Sequence, residues 1–414
     1  MTWLYCLFLI AVIEEMVSLA SAIRNYRYAQ SKCDRKKPLS PSKVTLIVPC
    51  KGVEPRFRDN IASFYRQDYP HYRLWFVVAD TSDPAYGQLH RLRDELQGQS
   101  TAQEVRIHVA GPTHGCSQKL HNLLFCCRQI ADHAEVMAFA DSDVHVSSDW
   151  LSMLVWPLRR DNVGATTGYR WFIPDKGNWA TLALSAINGK VAQMLGNNRF
   201  NLTWGGSMAI RMEVFRRLGL DPIWSKALSD DLTLSNEVKR RGLKVVFVPA
   251  CVVPSHHSVT WAGLWEFGRR QFLITRCYCP GTWWMALLGT LLSVAELWGG
   301  LALTGWTMTH SWTVRLGDWS CAAWPFWMAV SGILLASGFV KAVLRQRTVA
   351  TLLGDLTSAM QDARRADLAA FWLWPILVLA LMLSSALGRT IRWRGVHYKI
   401  LGPTDIQVLS EHNT

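Results

Sequence analysis

Four long apolar stretches bracket a middle region of ordinary soluble character, and this layout restricts the folds open to the 414-residue chain more than any other feature. They cover residues 3–23, 282–308, 321–340 and 371–387. A lipid core offers no water to backbone N–H and C=O groups, so a stretch inserted there must be helical. About 20 apolar residues cross the ~30 Å of hydrocarbon. The chain also carries 21 Trp, a residue that collects at the headgroup level. An integral, multi-pass membrane protein is expected, with the bilayer itself as a partner.

The flanking charges set the expected orientation. Glu14 and Glu15 interrupt the first stretch, and Arg24, Arg27, Lys32, Arg35, Lys36 and Lys37 follow it. It is too long for a signal-peptide core and has no small-residue cleavage site behind it. A span with its basic flank in the cytoplasm is the simplest reading; a helix lying in the interface is the alternative that the two glutamates favour. Later clusters conflict. Lys341, Arg345 and Arg347 should be cytoplasmic, and so should Arg389, Arg392, Arg394 and Lys399. One crossing between them cannot satisfy both. Either an apolar segment is re-entrant, or residues 349–360 are partly inserted. Glu296, inside the second stretch, is a functional candidate by its place.

A net charge of +13 does not indicate nucleic acid here, because the basic residues flank apolar segments and no zinc-finger or RNA-binding signature accompanies them. The ten cysteines contain no CxxC pair, and reduced, buried thiols in a cytosolic region are expected. Asn201-Leu202-Thr203 matches a glycosylation acceptor that would matter only outside the cytoplasm.

The middle region alternates strands and helices. Residues 44–49 read as a buried strand, with Lys51-Gly52 in the turn behind it. Residues 55–66 have helical periodicity, 74–79 form a second strand ending at Asp80, and 105–110 form a third. A helix at 119–130 leads to a strand at 135–140, and a later strand covers 243–249. This order implies an α/β fold with a largely parallel sheet. Residues 179–195 are an apolar helix, either in the core or resting on the membrane. The expected organisation is an N-terminal transmembrane helix at 1–23, a basic, proline-containing linker at 24–43 and a soluble domain at 44–277. A C-terminal membrane region at 278–390 and a basic cytosolic or interfacial tail at 391–414 complete it.

Ligands bind at the carboxyl ends of strands in such sheets, and Lys51, Asp80 and Asp141 all sit there. Asp141-Ser142-Asp143 offers two hard oxygen ligands, suited to Mg²⁺ or Mn²⁺ carrying a diphosphate. The plain alternative is an acidic turn. Gly205 and Gly206 permit close backbone approach to a ligand, or merely a tight turn. Asp230 and Asp231 open a helix, where a carboxylate is often only an N-cap. Arg269, Arg270, Gln271 and Arg276 precede the membrane region, where basic residues anchor a span or touch lipid phosphate.

Taken in order, these motifs resemble the ceramide glucosyltransferase family. The likeness runs through Pro49-Cys50-Lys51-Gly52-Val53-Glu54-Pro55, Gln67-Asp68-Tyr69-Pro70 and Ala79-Asp80-Thr81-Ser82-Asp83-Pro84. It continues through Gln118-Lys119-Leu120-His121-Asn122-Leu123, Asp141-Ser142-Asp143, Gly205-Gly206-Ser207-Met208 and Ser229-Asp230-Asp231. The resemblance implies a GT-A (nucleotide-diphospho-sugar transferase) domain flanked by transmembrane helices, with the domain in the cytosol. It implies an inverting hexosyl transfer from a UDP-sugar, UDP-glucose first among them, to the hydroxyl of a membrane lipid such as ceramide. By the same resemblance, Asp80 binds the uracil or ribose end, Asp141 with Asp143 holds the metal, and Lys51, Lys119, Gly205 and Gly206 line the donor site. Asp231 is the base, with Asp230 beside it. The family's last motif, Gln or Arg, two residues, then Arg-Trp, has no Arg-Trp in register. The nearest stretch runs from Arg270 and Gln271 to Arg276, assigned to acceptor or diphosphate. Arg392-Trp393 occurs later, where a basic anchor with an interfacial Trp is the reading. Two rival functions share parts of this pattern: a processive polysaccharide synthase, and a non-catalytic lipid-binding membrane protein.

Overall fold

Seven strands build the central sheet: β1 (Val44–Pro49), β2 (Tyr72–Val78), β3 (Glu104–Val109), β4 (Val136–Ala140), β5 (Val163–Pro174), β6 (Ser207–Arg211) and β7 (Lys244–His257). Their order is β3-β2-β1-β4-β6-β5-β7. The first four pair in parallel, β6 runs antiparallel between β4 and β5, and β7 returns parallel to β5. The computed structural model describes the chain apart from residues 1, 34–39, 41, 114, 131–133, 311, 317–318 and 412–414. It gives the backbone alone for 2–8, 314–316, 319–321, 410 and 411. Of the linker expected at 24–43, residues 34–39 and 41 lie outside the described residues, while 24–33 continue the helix Thr2–Cys33.

The expected α/β architecture is present, and its cause is legible in the strands. Every residue of β4 is buried, and so are the first five of β1, because helices cover both faces of the sheet. Phe57–Tyr65, Pro84–Leu96 and Trp150–Val155 pack on one face. Gln118–Gln129, Met212–Arg217, Leu220–Trp224 and Asp230–Arg240 pack on the other. Cys50, Cys116, Cys126, Cys127, Cys251, Cys277 and Cys279 are free thiols, and all of these but Cys277 are buried. Asn201 is buried, with its amide donating to the carbonyls of Gly196 (2.7 Å) and Val245 (3.2 Å), so it is a loop clasp with no room for a glycan.

The expected tail from 391 onward folds back as a three-stranded antiparallel sheet, Thr390–Trp393, Val396–Gly402 and Asp405–Glu411. Ile391, Val396, Tyr398 and Ile400 are buried in the same core as Leu273 and Tyr278. Trp393 packs against this core too, so its partner is the soluble domain. Three arginines on the helix Trp261–Tyr278 hold the returning chain by its carbonyls. Arg269 donates to Ser384 (3.2 Å), Leu387 (2.9 Å) and Thr390 (3.1 Å), Arg270 to Arg392 (3.2 Å), and Arg276 to Ala386 and Gly388.

Among the described residues, two helices are long and apolar enough to cross a membrane, Pro280–Thr309 and Ala323–Leu352. The helix Thr2–Cys33 packs along the second of these, and Lys341 reaches Glu15 at 2.7 Å. Glu15 therefore faces a neighbouring helix. At the inner end, Asn25 donates to the carbonyls of Gln193 (3.1 Å) and Met194 (3.2 Å), and Tyr28 to that of Phe247 (2.9 Å). The fourth apolar stretch is broken: Gln361–Ala370 and Trp374–Ala386 meet at a bend of 88°. The 13-residue second arm spans only ~20 Å at 1.5 Å per residue. Both basic clusters touch the soluble domain, Arg345 through Gln193 (3.1 Å) and Arg394 through Glu54 (3.0 Å). The bent pair between them is either a broken span or a re-entrant loop.

The helix Trp179–Met194 is a core helix along most of its length. Ala180 to Gly189 are buried against β5 and the membrane-side helices, whereas Trp179 and Met194 at its ends are 59% and 56% exposed. Beside it, Arg345 and Asp367 form a fork with contacts of 2.8 and 2.6 Å, and their side chains are only 4% and 1% exposed. Gln346 adds a third bond to Asp367 at 2.6 Å. Asp367→Ala would strand a buried guanidinium and should cost about 3–5 kcal/mol, whereas Asp367→Asn, which keeps an acceptor, should cost less. Thermal unfolding of the detergent-purified variants checks this order.

Candidate active site

Where β4 ends, the chain turns through Asp141-Ser142-Asp143, and charged side chains from four separate stretches meet there. Lys119 lies at their centre. Its Nζ is 2.8 Å from Asp141 Oδ1 and 3.2 Å from Asp230 Oδ2. The rest of its motif keeps it in place. Ser117 caps the helix at Leu120 and donates to the Leu228 carbonyl at 2.9 Å. Gln118 donates to the Gly111 carbonyl (2.9 Å) and to Asn122 (2.8 Å), while His121 meets the Ala110 carbonyl (3.0 Å). Gln118, His121 and Asn122 thus order the loop after β3, and Lys119 alone reaches the carboxylates.

Burial works against the charged forms in this cluster, and mutual pairing decides each outcome. Lys119 ends above its ordinary pKa, since Asp141 and Asp230 outweigh its burial. Burial raises Asp141, but Lys119 and Arg170 more than offset this and hold it below the usual carboxylate value. Asp230 is pushed up to about 6 by burial, with Asp231 and Asp141 adding to the effect and Lys119 opposing it.

Asp231 has a different environment. Ser229 is the N-cap of the helix Asp230–Arg240, accepting from the Leu232 amide at 3.2 Å. Asp231 Oδ1 shares that amide at 2.8 Å and accepts from the Ser229 hydroxyl. Its Oδ2 accepts from the Gly205 amide at 3.3 Å. The carboxylate is half-buried and held from both sides, while Asp230 points to Lys119.

The two glycines let the loop before β6 press against the site's own side chains. A Cβ on Gly205 would collide with Asp230 Oδ2 and lie 2.8 Å from Lys119 Nζ. A Cβ on Gly206 would strike the Trp204 ring and lie 2.7 Å from Asp141 Oδ2. Thr203 secures this loop to the helix, donating to the Asp231 carbonyl at 2.8 Å.

Sequence reasoning missed Arg170. It projects from β5 with its nitrogens 3.9 Å from both Asp141 Oδ2 and Asp143 Oδ2, and it stacks over Trp204 with its guanidinium 4.8 Å from the ring centroid. A cation within the aromatic run Tyr169-Arg170-Trp171-Phe172 was the available signal. The remaining candidates lie around this centre. Asp80 is exposed at the end of β2 and accepts from the Ser82 amide at 2.7 Å, a bond that lowers its pKa. Lys51 is exposed at the end of β1 and donates to the Arg394 carbonyl at 3.1 Å. Arg270 and Arg276 bind backbone carbonyls of the returning chain, and Gln271 is exposed.

Asp141 and Asp143 are the residues that could hold a divalent ion. Asp143 Oδ1 is buried with no hydrogen-bond partner, which fits an oxygen meant for a ligand. Among the described residues no third His, Cys, Asp or Glu completes a three-ligand group. An ion here would draw its other oxygens from phosphate and water, as Mg²⁺ commonly does.

Adding one methyl group at Gly206 should therefore displace Trp204 or Asp141. Gly206→Ala should destabilise by about 1–3 kcal/mol, the range for overpacking. Gly87→Ala, in open space on the helix Pro84–Leu96, should instead be neutral or stabilising by about 0.5–1 kcal/mol. Melting curves of the two variants test the contrast.

The chain is similar to several proteins of known name. A ceramide glucosyltransferase of Gibberella zeae is 30% identical over 127 residues, which is 29% of this chain and 24% of the relative. One of Komagataella phaffii is 28% identical over 169 residues, 39% of this chain and 33% of the relative. These matches span a quarter to a third of the relatives' own lengths. Among solved structures, the mannosyltransferase PcManGT of Pyrobaculum calidifontis, in complex with GDP-Man and Mn²⁺, aligns with a TM-score of 0.46 and 16% identity. That alignment covers 92% of this chain and 97% of the other. The sequence profile of glycosyl transferase family 21 matches residues 3–406. The chain, with its mixed α/β sheet and apolar C-terminal helices, belongs to glycosyl transferase family 21.

Proposed function

We infer that the protein moves a hexosyl group from a UDP-sugar, glucose first among the candidates, to the hydroxyl of a membrane lipid of the ceramide type. The observation that carries this reading is the meeting of Asp141, Lys119, Arg170, Asp230 and Asp231 at the end of β4, in a chain anchored by apolar helices. Asp141 and Asp143 would hold Mn²⁺ or Mg²⁺. Such an ion, when bound, neutralises charge on the leaving diphosphate. Lys119 and Arg170 contribute fixed positive charge at the same place, where low dielectric strengthens it.

A lipid hydroxyl is a weak nucleophile, and Asp231 supplies the base. The Ser229 hydroxyl and the Leu232 and Gly205 amides fix the orientation of its carboxylate, and it accepts the hydroxyl proton as the new glycosidic bond forms. One base, without a second carboxylate acting as nucleophile, gives a single displacement with inversion. Asp230 serves as the partner of Lys119. The helices Thr2–Cys33, Pro280–Thr309 and Ala323–Leu352 would be crossings with Trp374–Ala386 re-entrant, which puts the domain and both basic clusters in the cytosol.

Two experiments test this reading. Excess chelator should stop transfer and Mn²⁺ or Mg²⁺ should restore it; full activity in chelator would reject the metal. Asp231→Asn should leave UDP affinity near wild type and cut turnover by roughly 10²–10⁴-fold, the usual worth of a general base. Asp141→Asn should weaken UDP binding as well. Near-normal turnover in Asp231→Asn would remove the base from the mechanism.

A further inference from the structure

The hairpin between Thr390–Trp393 and Val396–Gly402 ends in a two-residue turn, Arg394-Gly395, with Trp393 paired to Val396. Both turn residues have positive φ, 48° and 83°. Turns of this shape favour Asn-Gly or Gly-Gly, because a bulkier side chain is strained there. An arginine is a poor choice for the turn alone. Its side chain is aimed at the donor side of the domain. Arg394 Nη1 donates to the Lys51 carbonyl (3.0 Å), Nη2 pairs with Glu54 Oε1 (3.0 Å), and Lys51 Nζ donates back to the Arg394 carbonyl (3.1 Å). The tip therefore sits on the loop after β1, beside the end of β4. The hairpin cannot drift, since Ile391, Tyr398 and Ile400 are buried and Arg270 holds the Arg392 carbonyl.

We propose that Arg394 is a donor-binding residue, whose guanidinium leaves Glu54 to take a phosphate oxygen of the nucleotide-sugar. The C-terminal sheet is then a wall of the donor site. This rests on the donor reading above. Two observations on charge support it. Arg394 acts on Glu54, whose pKa burial raises and Arg394 lowers. Arg270 is lowered to about 10, chiefly by burial, with Glu266 opposing and Arg170 and Arg394 adding to the effect. Arginines from β5, the helix Trp261–Tyr278 and the hairpin tip thus lie near one another beside the Asp141/Asp143 turn, and several guanidinium groups at one place suit the oxygens of a diphosphate. Glu54 is half-exposed, so releasing it to water is cheap.

The test is UDP binding by calorimetry, with Mn²⁺ present, on the full chain in detergent. Arg394→Asn is the informative variant, because Asn-Gly is the preferred turn and should keep or improve the hairpin. A donor role requires this variant to bind UDP roughly 10- to 100-fold more weakly, the scale of a charge-assisted hydrogen-bond pair. Glu54→Gln should bind UDP as tightly as wild type or more tightly, since the competing carboxylate is gone. If Arg394 only fastens the hairpin, Arg394→Asn would bind like wild type, and that result overturns the proposal. Equal weakening in Arg394→Asn and Glu54→Gln would overturn it too, by showing that the ion pair itself is what matters. If the wild type binds neither UDP nor GDP, the donor reading fails first and this one falls with it.

Discussion

The shared ammonium of Lys119 is the interaction on which the site depends. Asp141 and Asp230 come from different ends of the domain, and each alone would be a buried charge of high cost. One cation between them makes both tolerable. Because Lys119 is fixed by the capped helix Gln118–Gln129, and Asp141 by β4, the helix start at Asp230 has one place to dock. That docking in turn aims Asp231. The glycines at 205 and 206 follow from the same packing, since any side chain there would push on Asp230, Lys119, Asp141 or Trp204.

A second set of contacts ties this site to the membrane-side helices. Lys341 with Glu15 and Arg345 with Asp367 join the apolar helices to one another. Asn25, Tyr28 and Gln193 join them to the sheet domain. On the other flank, Arg269, Arg270 and Arg276 hold the chain as it returns from Trp374–Ala386. Much of the net positive charge is thus spent on internal carbonyls and carboxylates. These charged contacts hold the two regions in a constant relation to each other.

Much of this was legible from residues alone, and the gaps have physical causes. Strands β1 and β4 were readable because burial on both faces leaves unbroken apolar runs. Strand β5 was not, since its Gly164, Thr166, Thr167 and Gly168 suit close strand packing but leave no apolar run. Arg170 was lost with it. The aspartates were found because carboxylates at strand and helix ends are conspicuous. Their partners were harder: which cation meets which carboxylate depends on the order β4-β6-β5, with an antiparallel strand in the middle. Residues 391–411 looked like a basic tail because short strands of alternating Ile, Arg, Tyr and Lys carry little signal once a long apolar helix precedes them. Their burial against Leu273 and Tyr278 is a tertiary fact.

The central claim is that the carboxylate cluster at the end of β4 serves lipid glycosylation by single displacement. The direct measurement is mass spectrometry and NMR of lipids from a host lacking glycolipids of its own, expressing this chain and fed isotopically labelled sugar. The account requires label in an organic-extractable glycolipid whose anomeric configuration is inverted relative to the UDP-sugar, and no such product from a host expressing Asp231→Asn. Label in a water-soluble polymer, or a glycolipid with retained configuration, would contradict it.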